Sequence, residues 1–584
     1  MNSNYSAQEK NFATALLHNL WKYLLLAASI VATVKIIFFG FDIDEQYAVS
    51  MAYRLVQGDR MFLEMWEPHQ TSAFFSAAFL WLYMQLFHTL KYSVLFLRIV
   101  GVVTQLLISI LTYRTFRKFV TENTAFVIAV FYYNIIPKNS TVPDFSNMLL
   151  WFSMLLFLCL LYFFLAENNE IPGKYFCLIM SGLSTSALVL SYPTCLFVVV
   201  PVSIGICCVS TFKNRWCNLM CYLFTCAFCG ISWLSYFLFH MSFSRFVAGV
   251  SAMFSDGSHS DTFASKLRGL FSYIYDILPL FLAAALCSFV LWKFLNVISK
   301  KRYAYSLILI ILLAVEQILV WYFMQKRLNY PGLLSYFLLF LAFRYYHLHR
   351  SEVKDRTTIS YALFWFGSIA SLFLLAAGFL ASNTQLYESI GYVTIGIVVF
   401  LYFLDKEQKR NRCLWKVVIF AIIGTAILHK GFYVSYLYGH DTIFVSRQKA
   451  EDGPMAGIYG RYSDGHEYNL RNQLLHTYIP ERSNLLLVSN KTIMYLQGDY
   501  VICNYSTIST PTIDERLFQY WTLYPDKVPE YIVWDKGSEG YIATNPEVNA
   551  RLVENAELLV DDEGLLIYRL PANPYCCLLY TSPS

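Results

Sequence analysis

The sequence predicts a polytopic α-helical membrane protein of about 13 crossings, followed by a small extracytoplasmic α/β domain. Three observations carry that prediction. Of the 584 residues, 57% are apolar and only 14% charged, against about 25% charged in a soluble globular protein. The apolar residues fall in long runs near the length of about 20 that a helix needs to cross the hydrocarbon core. Charge is also split: residues 1–430 hold 33 Lys+Arg against 20 Asp+Glu, and residues 431–584 hold 11 against 19. The first part therefore reads as lipid-facing with basic loops, the second as an acidic soluble appendix. The same figures exclude a disordered chain, a disulfide-dense secreted module and a nucleic-acid binder. The 14 cysteines are scattered through apolar runs (Cys159, Cys195, Cys207, Cys208, Cys226, Cys229) with no metal-type ladder, and read as small hydrophobes.

Taken in order, the apolar runs lie near 21–41, 71–90, 94–113, 124–137, 145–166, 175–192, 194–212, 217–240, 271–292, 303–324, 331–346, 358–381, 388–404 and 414–430. The first is long enough to stay in the membrane and is not a cleavable leader. Basic clusters mark the cytoplasmic side: Lys213/Arg215, Lys293 to Arg302, Arg344 to Arg356 and Lys406 to Lys416. Loops 241–270, 325–330 and 382–387 then lie outside, with the C-terminal domain. Loop 42–70, with six Asp/Glu and two Arg, also belongs outside. An inside start and an outside finish need an odd number of crossings, so one of the runs does not cross. The short run 124–137 and the Pro193-broken pair 175–212 are the weakest.

Beyond residue 430 the pattern changes. Short β-type runs at Asn484–Ser489, Tyr500–Tyr505, Tyr531–Asp535 and Leu565–Leu570 alternate with helical stretches at Glu515–Tyr520 and Pro546–Glu554. Residues 431–574 are thus expected to form a small α/β domain. The tail 575–584 (YCCLLYTSPS) does not continue its pattern, reads as non-native, and is assigned no function.

Loop 42–70 is the most informative stretch. It begins Phe41-Asp42-Ile43-Asp44-Glu45-Gln46-Tyr47 and ends Trp66-Glu67-Pro68-His69-Gln70. Carboxylates directly after a membrane helix are costly unless they face water or a site. Val49, Ala52, Tyr53 and Val56 give Glu45–Gln57 helical spacing, so this segment is expected to lie along the interface and hold Asp44 where a lipid headgroup could meet it.

An Asp-Glu pair after the first helix, followed by A-x-x-L-x-x-G (Ala52, Leu55, Gly58) and an acidic-Pro segment opening the next run, resembles the GT-C glycosyltransferases, in particular the protein O-mannosyltransferase and lipid A aminoarabinose transferase family. The resemblance implies transfer of a sugar from a polyprenyl-phosphate donor to a lipid, glycan or protein acceptor on the outer face of a bacterial inner membrane. It implies Asp44 as general base, with Glu45 beside it. Glu67-Pro68-His69 corresponds to a family segment that places the donor phosphate or a divalent metal. Here the family's Lys and second Pro are missing, and His69 is the substitute.

Gln325-Lys326-Arg327-Leu328-Asn329-Tyr330-Pro331 is similar to the family's K-R-x-Y-x-x-P segment. Topology independently puts Lys326 and Arg327 outside, against the positive-inside tendency, where a donor phosphate would compensate them, with Tyr330 alongside. His259, in loop 241–270, resembles a donor-binding position. Asp144, in Pro143-Asp144-Phe145, resembles an acidic residue that opens a later helix. It joins the site only if the non-crossing run lies within 71–138, and otherwise caps its helix. Glu67, Asp144 and His259 are thus the metal or phosphate candidates. No P-loop, dinucleotide fingerprint or H-E-x-x-H is present. The alternative function is a transporter or flippase of a lipid-linked saccharide, which would call for mid-helix charges and internal repeats, whereas such charges are few here (Lys35, Glu316) and the helix pattern shows no repeat.

Overall fold

The computed structural model describes residues 2–254, 263–269, 350–381, 390–407, 412–508, 515–538 and 546–571, apart from brief interruptions at 138–139, 169–172, 438 and 563, together with isolated positions between 271 and 346. Among these residues, six helices are long and apolar enough to cross a membrane by length and composition: Asn19–Phe38, Ser93–Phe116, Phe145–Asn168, Lys174–Ser191, Arg215–His240 and Ile359–Leu380. The molecule is a helical bundle carrying an α/β unit at one end, and fits a polytopic membrane protein.

The bundle begins with α1 (Asn2–Phe38) and α2 (Ile43–Gln57), continues through α3 (Ala73–Phe87), α4 (Ser93–Phe116), α5 (Glu122–Asn134) and α6 (Phe145–Asn168), and then α7 (Lys174–Ser191), α8 (Val199–Val209), α9 (Arg215–His240) and α10 (Phe243–Phe254). A further helix, α11, runs from Ile359 with a π-helical middle at Leu363–Ile369, and α12 (Ile390–Glu407) and α13 (Arg412–Phe432) complete it. The buried core is built from α5, α6, α11 and α12, with Phe131, Trp151, Phe157, Phe366 and Phe403 at its centre.

Hydrogen bonds at the helix ends fix which end of the bundle each one reaches. The residues after α1 bond the α/β unit, Gly40 N to Tyr459 O and Phe41 N to Ser435 O. At the opposite end Lys22 pairs with Glu122, and Asp405 near the end of α12 accepts from Thr121. α4 and α5 therefore run between the two ends. So do α6 and α7: Glu167 meets Lys174 and Thr211 far from the α/β unit, while Leu190 O accepts from Thr71 Oγ1 close to it.

The run at 71–90 forms the short helix α3. Both flanks of α3 bond the α/β unit: Trp66 N donates to Tyr505 O on one side, and Tyr92 N to Gly453 O and Val94 N to Pro454 O on the other. At 15 residues α3 is roughly 22 Å long, short of the hydrocarbon thickness. It lies across the end of the bundle, packed on α2, with Trp81, Leu82, Leu86 and Phe87 exposed. Of the runs named as weakest, 175–212 holds Lys174–Ser191, one of the six helices long and apolar enough to cross, and 124–137 holds the 13-residue α5. Residues 135–137 and 140–143 follow α5 outside regular structure, and polar groups among them are met internally: Gln105 Nε2 donates to Ile135 O, and Asn147 Nδ2 to Ser140 O and Val142 O. The segment passes so close to α4 that a Cβ on Gly101 would lie 1.6 Å from Thr141 O. Asp144 thereby comes to the same end as loop 42–70.

The α/β unit starts with two hairpins, β1 (Tyr433–Tyr436) with β2 (Gly439–Thr442), and β3 (Arg447–Lys449) with β4 (Tyr459–Arg461). A five-stranded sheet follows in the order β6-β5-β7-β9-β8, from β5 (Asn484–Val488), β6 (Val501–Ile502), β7 (Tyr531–Asp535), β8 (Glu557–Asp562) and β9 (Leu565–Arg569). β5 pairs in parallel with both β6 and β7. Helices α14 (Tyr462–Tyr478), α15 (Arg516–Leu523) and α16 (Pro546–Val553) accompany the sheet. Central β5 and β7 are buried throughout their inner positions, as continuous apolar strands covered on both faces must be.

Candidate active site

α2 begins at Asp42, four residues after α1 ends at Phe38. With extended backbone, Asp42 turns its Oδ1 onto the amides of Asp44, at 2.9 Å, and Glu45, at 3.2 Å, and so caps the helix. Asp44 and Glu45 then occupy the first turn, where the helix dipole favours negative charge. They face different ways. Asp44 is half-buried, whereas Glu45 is fully buried.

Glu45 is held from two directions. Arg98 donates to both of its oxygens, Nε at 2.7 Å and Nη2 at 2.5 Å, and Ser140 Oγ donates to Oε1 at 2.8 Å. The remaining Arg98 donors reach the carbonyls of Ile36, Ile37, Phe39 and Gly40 at 2.7–3.2 Å. One guanidinium thus closes the C-terminus of α1 and pins the start of α2 to α4. Arg98 was missed in the reading of the sequence, although a lone arginine inside an apolar run is a recognisable signal.

The other end of the loop is fixed differently. Glu67 accepts from Thr507 N at 2.8 Å and Thr507 Oγ1 at 2.6 Å, and Arg54 Nη1 lies at 3.5 Å. Arg54 also holds Asp59, at 2.8 Å, and the Glu64 carbonyl, and Lys527 Nζ bonds Asp59 from the α/β unit at 2.6 Å. Burial pushes the Glu67 carboxyl above its ordinary value, opposed by Arg54 and the Thr507 bonds. A divalent cation at Glu67 does not fit this arrangement, because a guanidinium and two Thr507 donors already surround the carboxylate. Among the described residues no group of three His, Cys, Asp or Glu could hold a metal. Arg54, like Arg98, carried no weight in the sequence reading.

His69 and Asp144 come together. His69 adopts a left-handed backbone (φ 61°), uncommon for a residue with a side chain. Its ring stacks on Phe145 with centroids 4.3 Å apart, and Tyr192 lies 5.3 Å away. Asp144, next to Phe145, is buried, and its Oδ1 accepts from Asn147 N at 2.7 Å as the helix cap. Tyr47 OH donates to Pro68 O, tying the α2 helix to the His69 turn. The chain of contacts Glu45–Ser140–Asn147–Asp144 and Phe145–His69 thus brings the Asp-Glu pair, His69 and Asp144 into one region, and Glu67 bonds Thr507 of the α/β unit. Lys326, Arg327, Tyr330 and His259 lie outside the described residues.

No protein-family model matches the chain, and no curated protein matches it. Solved structures similar to it include an Archaeoglobus fulgidus oligosaccharyltransferase tethered with an acceptor peptide, at 10% identity and a TM-score of 0.47 over 96% of this chain and 76% of that one. ArnT from Cupriavidus metallidurans is similar at 11% identity, with a TM-score of 0.42 in the apo state over 97% of this chain and 100% of that one. The same protein bound to undecaprenyl phosphate gives 11% and 0.41. At such identities and scores these likenesses decide no chemistry.

Proposed function

We propose that the chain is an inverting membrane glycosyltransferase that moves a sugar from a polyprenyl-phosphate donor to a lipid, glycan or protein acceptor, on the extracytoplasmic face of a bacterial inner membrane. The observation that supports this reading is the place of the Asp-Glu pair: it forms the first turn of α2, at the end of the bundle where the α/β unit sits, with Glu45 fully buried between Arg98 and Ser140 and Asp44 half-buried.

Asp44 is the general base. It takes the proton of an acceptor hydroxyl as that oxygen attacks the anomeric carbon, and the bond from that carbon to the phosphate oxygen breaks with its electron pair leaving on polyprenyl phosphate. Glu45 is reassigned from reacting group to positioning group, because its oxygens are occupied. Lys326, Arg327 and Tyr330 stay assigned to the leaving phosphate, and His69 and Asp144 border the same region. Glu67 is assigned to joining the loop to the α/β unit. Transport of the same lipid-linked saccharide is supported less well: Lys35 is spent on the backbone carbonyls of Lys430, at 3.0 Å, and Tyr433, which closes the end of α13.

The test is Asp44→Asn. Transfer from a labelled polyprenyl-phosphate sugar in proteoliposomes should fall by about 10² to 10⁴-fold, with expression and melting unchanged. Near-normal turnover in that variant would remove Asp44 as the base. Labelled lipid moving across the bilayer with no bond cleaved would favour transport.

A further inference from the structure

Helix α3 is apolar on every side, but only one side is covered. Between Ala73 and Phe87 there is no charged side chain. Ala73, Ser76, Leu80 and Tyr83 are buried, and Leu80 joins a cluster with Val49 and Ala52 of α2 and Leu97 of α4. Ala78, Trp81, Leu82 and Leu86, at spacing i, i+3, i+4 and i+8, form an exposed stripe, with Trp81 at 54% and Leu86 at 62%. A helix that is hydrophobic all round belongs in a protein core or in lipid. The protein core accounts for one side of α3, and the Trp81 stripe is left to a different apolar surrounding.

The surroundings of that stripe say what covers it. At the C-terminal end of α3 the Tyr83 ring packs on Phe87 and on Phe96 of α4, with centroids 4.8 and 4.9 Å apart. The helix is thus joined to the start of α4, whose own outward residues Ile99, Val103 and Leu107 are exposed and apolar. Polar groups gather just past α3: His88 and Tyr92 are exposed, and Lys91 Nζ bonds Asp452 of the α/β unit at 2.9 Å. Trp and Tyr, with an apolar body and a polar tip, favour the boundary between hydrocarbon and water. A second apolar group lies at the same end of the bundle, in the turn from β2 to β3. Ile443 N donates to the carbonyl of Phe432, the last residue of α13, at 2.9 Å. Phe444 is 78% exposed, with its ring 6.0 Å from that of Phe432, and Leu428 one turn earlier is exposed too. Phe444 therefore stands beside the end of a bundle helix and outside the core of the α/β unit.

We infer that the Trp81 stripe of α3 and the Phe444 turn are a membrane-seating surface, immersed where acyl chains meet headgroups in the leaflet on the side of the α/β unit. The occupant is phospholipid, because each patch continues the outward apolar side of a bundle helix, α4 in one case and α13 in the other, and a helix lying in the interface plane with an apolar side in the acyl boundary is the known form of such contacts. The α/β unit is then fastened to the bilayer at two places as well as to the bundle. That fixes its height over the membrane, and with it the height of α2, on which α3 packs. The inference goes beyond the glycosyltransferase reading and holds whichever reaction the chain performs.

The experiment uses the full-length protein in nanodiscs of phosphatidylcholine brominated either high on the acyl chain or near its end. The fluorescence of Trp81 is read as the difference between the parent and Trp81→Phe, a mild change at an exposed position that should leave the melting temperature unaltered. That difference should be quenched by the shallow bromines and much less by the deep ones. The Phe444 turn is read separately, with the photo-crosslinker p-benzoylphenylalanine replacing Phe444 and, as control, replacing the exposed Leu558. Leu558 lies on β8, the sheet edge opposite β6, beside which Tyr53 of α2 bonds Tyr500 O. Irradiation should give phospholipid adducts at position 444 and none at 558, read by mass spectrometry. Trp81 emission indifferent to both lipids would place α3 outside the membrane, and stronger quenching by the deep bromines would make it a crossing helix; either result overturns the seating surface. A covalent dimer at 444 in place of lipid adducts would give the turn to a second copy of the chain, and equal adducts at 444 and 558 would leave it no special contact; both overturn the part assigned to Phe444.

Discussion

The two ends of loop 42–70 are fastened by buried arginines with opposite surroundings. At the bundle end Arg98 faces one carboxylate and four backbone carbonyls, and among the described residues it is the cation that bonds Glu45. At the α/β end Arg54 shares two carboxylates, Asp59 and Glu67, with a second cation, Lys527. The difference teaches which fastening has reserve. Removing Arg98 strands a buried charge and a helix terminus together. Removing Arg54 leaves Lys527 on Asp59 and Thr507 on Glu67, and Glu67 can take up a proton. Asp44 lies beside the fastening without reserve.

The contrast breaks first at Arg98. Arg98→Met should destabilise the protein by about 3–5 kcal/mol, the range for removing one partner of a buried pair, and should abolish transfer through loss of the α2 start. Recovery of melting temperature in the Arg98→Met/Glu45→Gln double variant would show that the stranded carboxylate, and not lost packing, is the cause. Arg54→Met should cost less, about 2–3 kcal/mol, for the reserve just described; a loss equal to that of Arg98→Met would erase the distinction. Glu67→Gln is expected to have the smallest effect, about 1 kcal/mol, because the amide oxygen can still accept from Thr507.

Its pH dependence sharpens the comparison further. Burial raises the Glu67 carboxyl in the folded state, so the folded protein holds that proton more firmly than the unfolded chain. Stability from this group is therefore present below its unfolded value and falls as pH rises through the folded one. Melting curves of parent and Glu67→Gln should diverge across that window, the parent losing stability with rising pH and the variant not. Asp535 behaves in the opposite sense: although burial alone would raise it, Arg471 holds its carboxyl well below the usual range, so its contribution is kept above the ordinary aspartate value and lost in acid.

Much of the architecture was legible because it rests on local patterns. The apolar lengths of α4, α6, α7 and α9, the helical spacing of Glu45–Gln57 and the β-type runs at Asn484, Tyr531 and Leu565 are readable one segment at a time. Two features were set by partners far away in the chain. The 71–90 run has the composition of a crossing helix, yet both of its flanks are tied to the α/β unit. Glu67 sits in a segment that reads as catalytic, yet its partners lie 440 residues away at Thr507. Neither tie leaves a mark within the segment itself.

Composition and periodicity by themselves determined that this chain is a bundle of apolar helices with an acidic α/β appendix, and that an Asp-Glu pair follows the first helix. The packed structure decided that Glu45 is held by Arg98 and Ser140, and that Asp144 lies at the same end of the bundle as the pair. The reason is physical: apolar burial depends on spacing along one segment, whereas the state of a buried charge depends on the few groups within about 4 Å of it, and those arrive from distant parts of the chain.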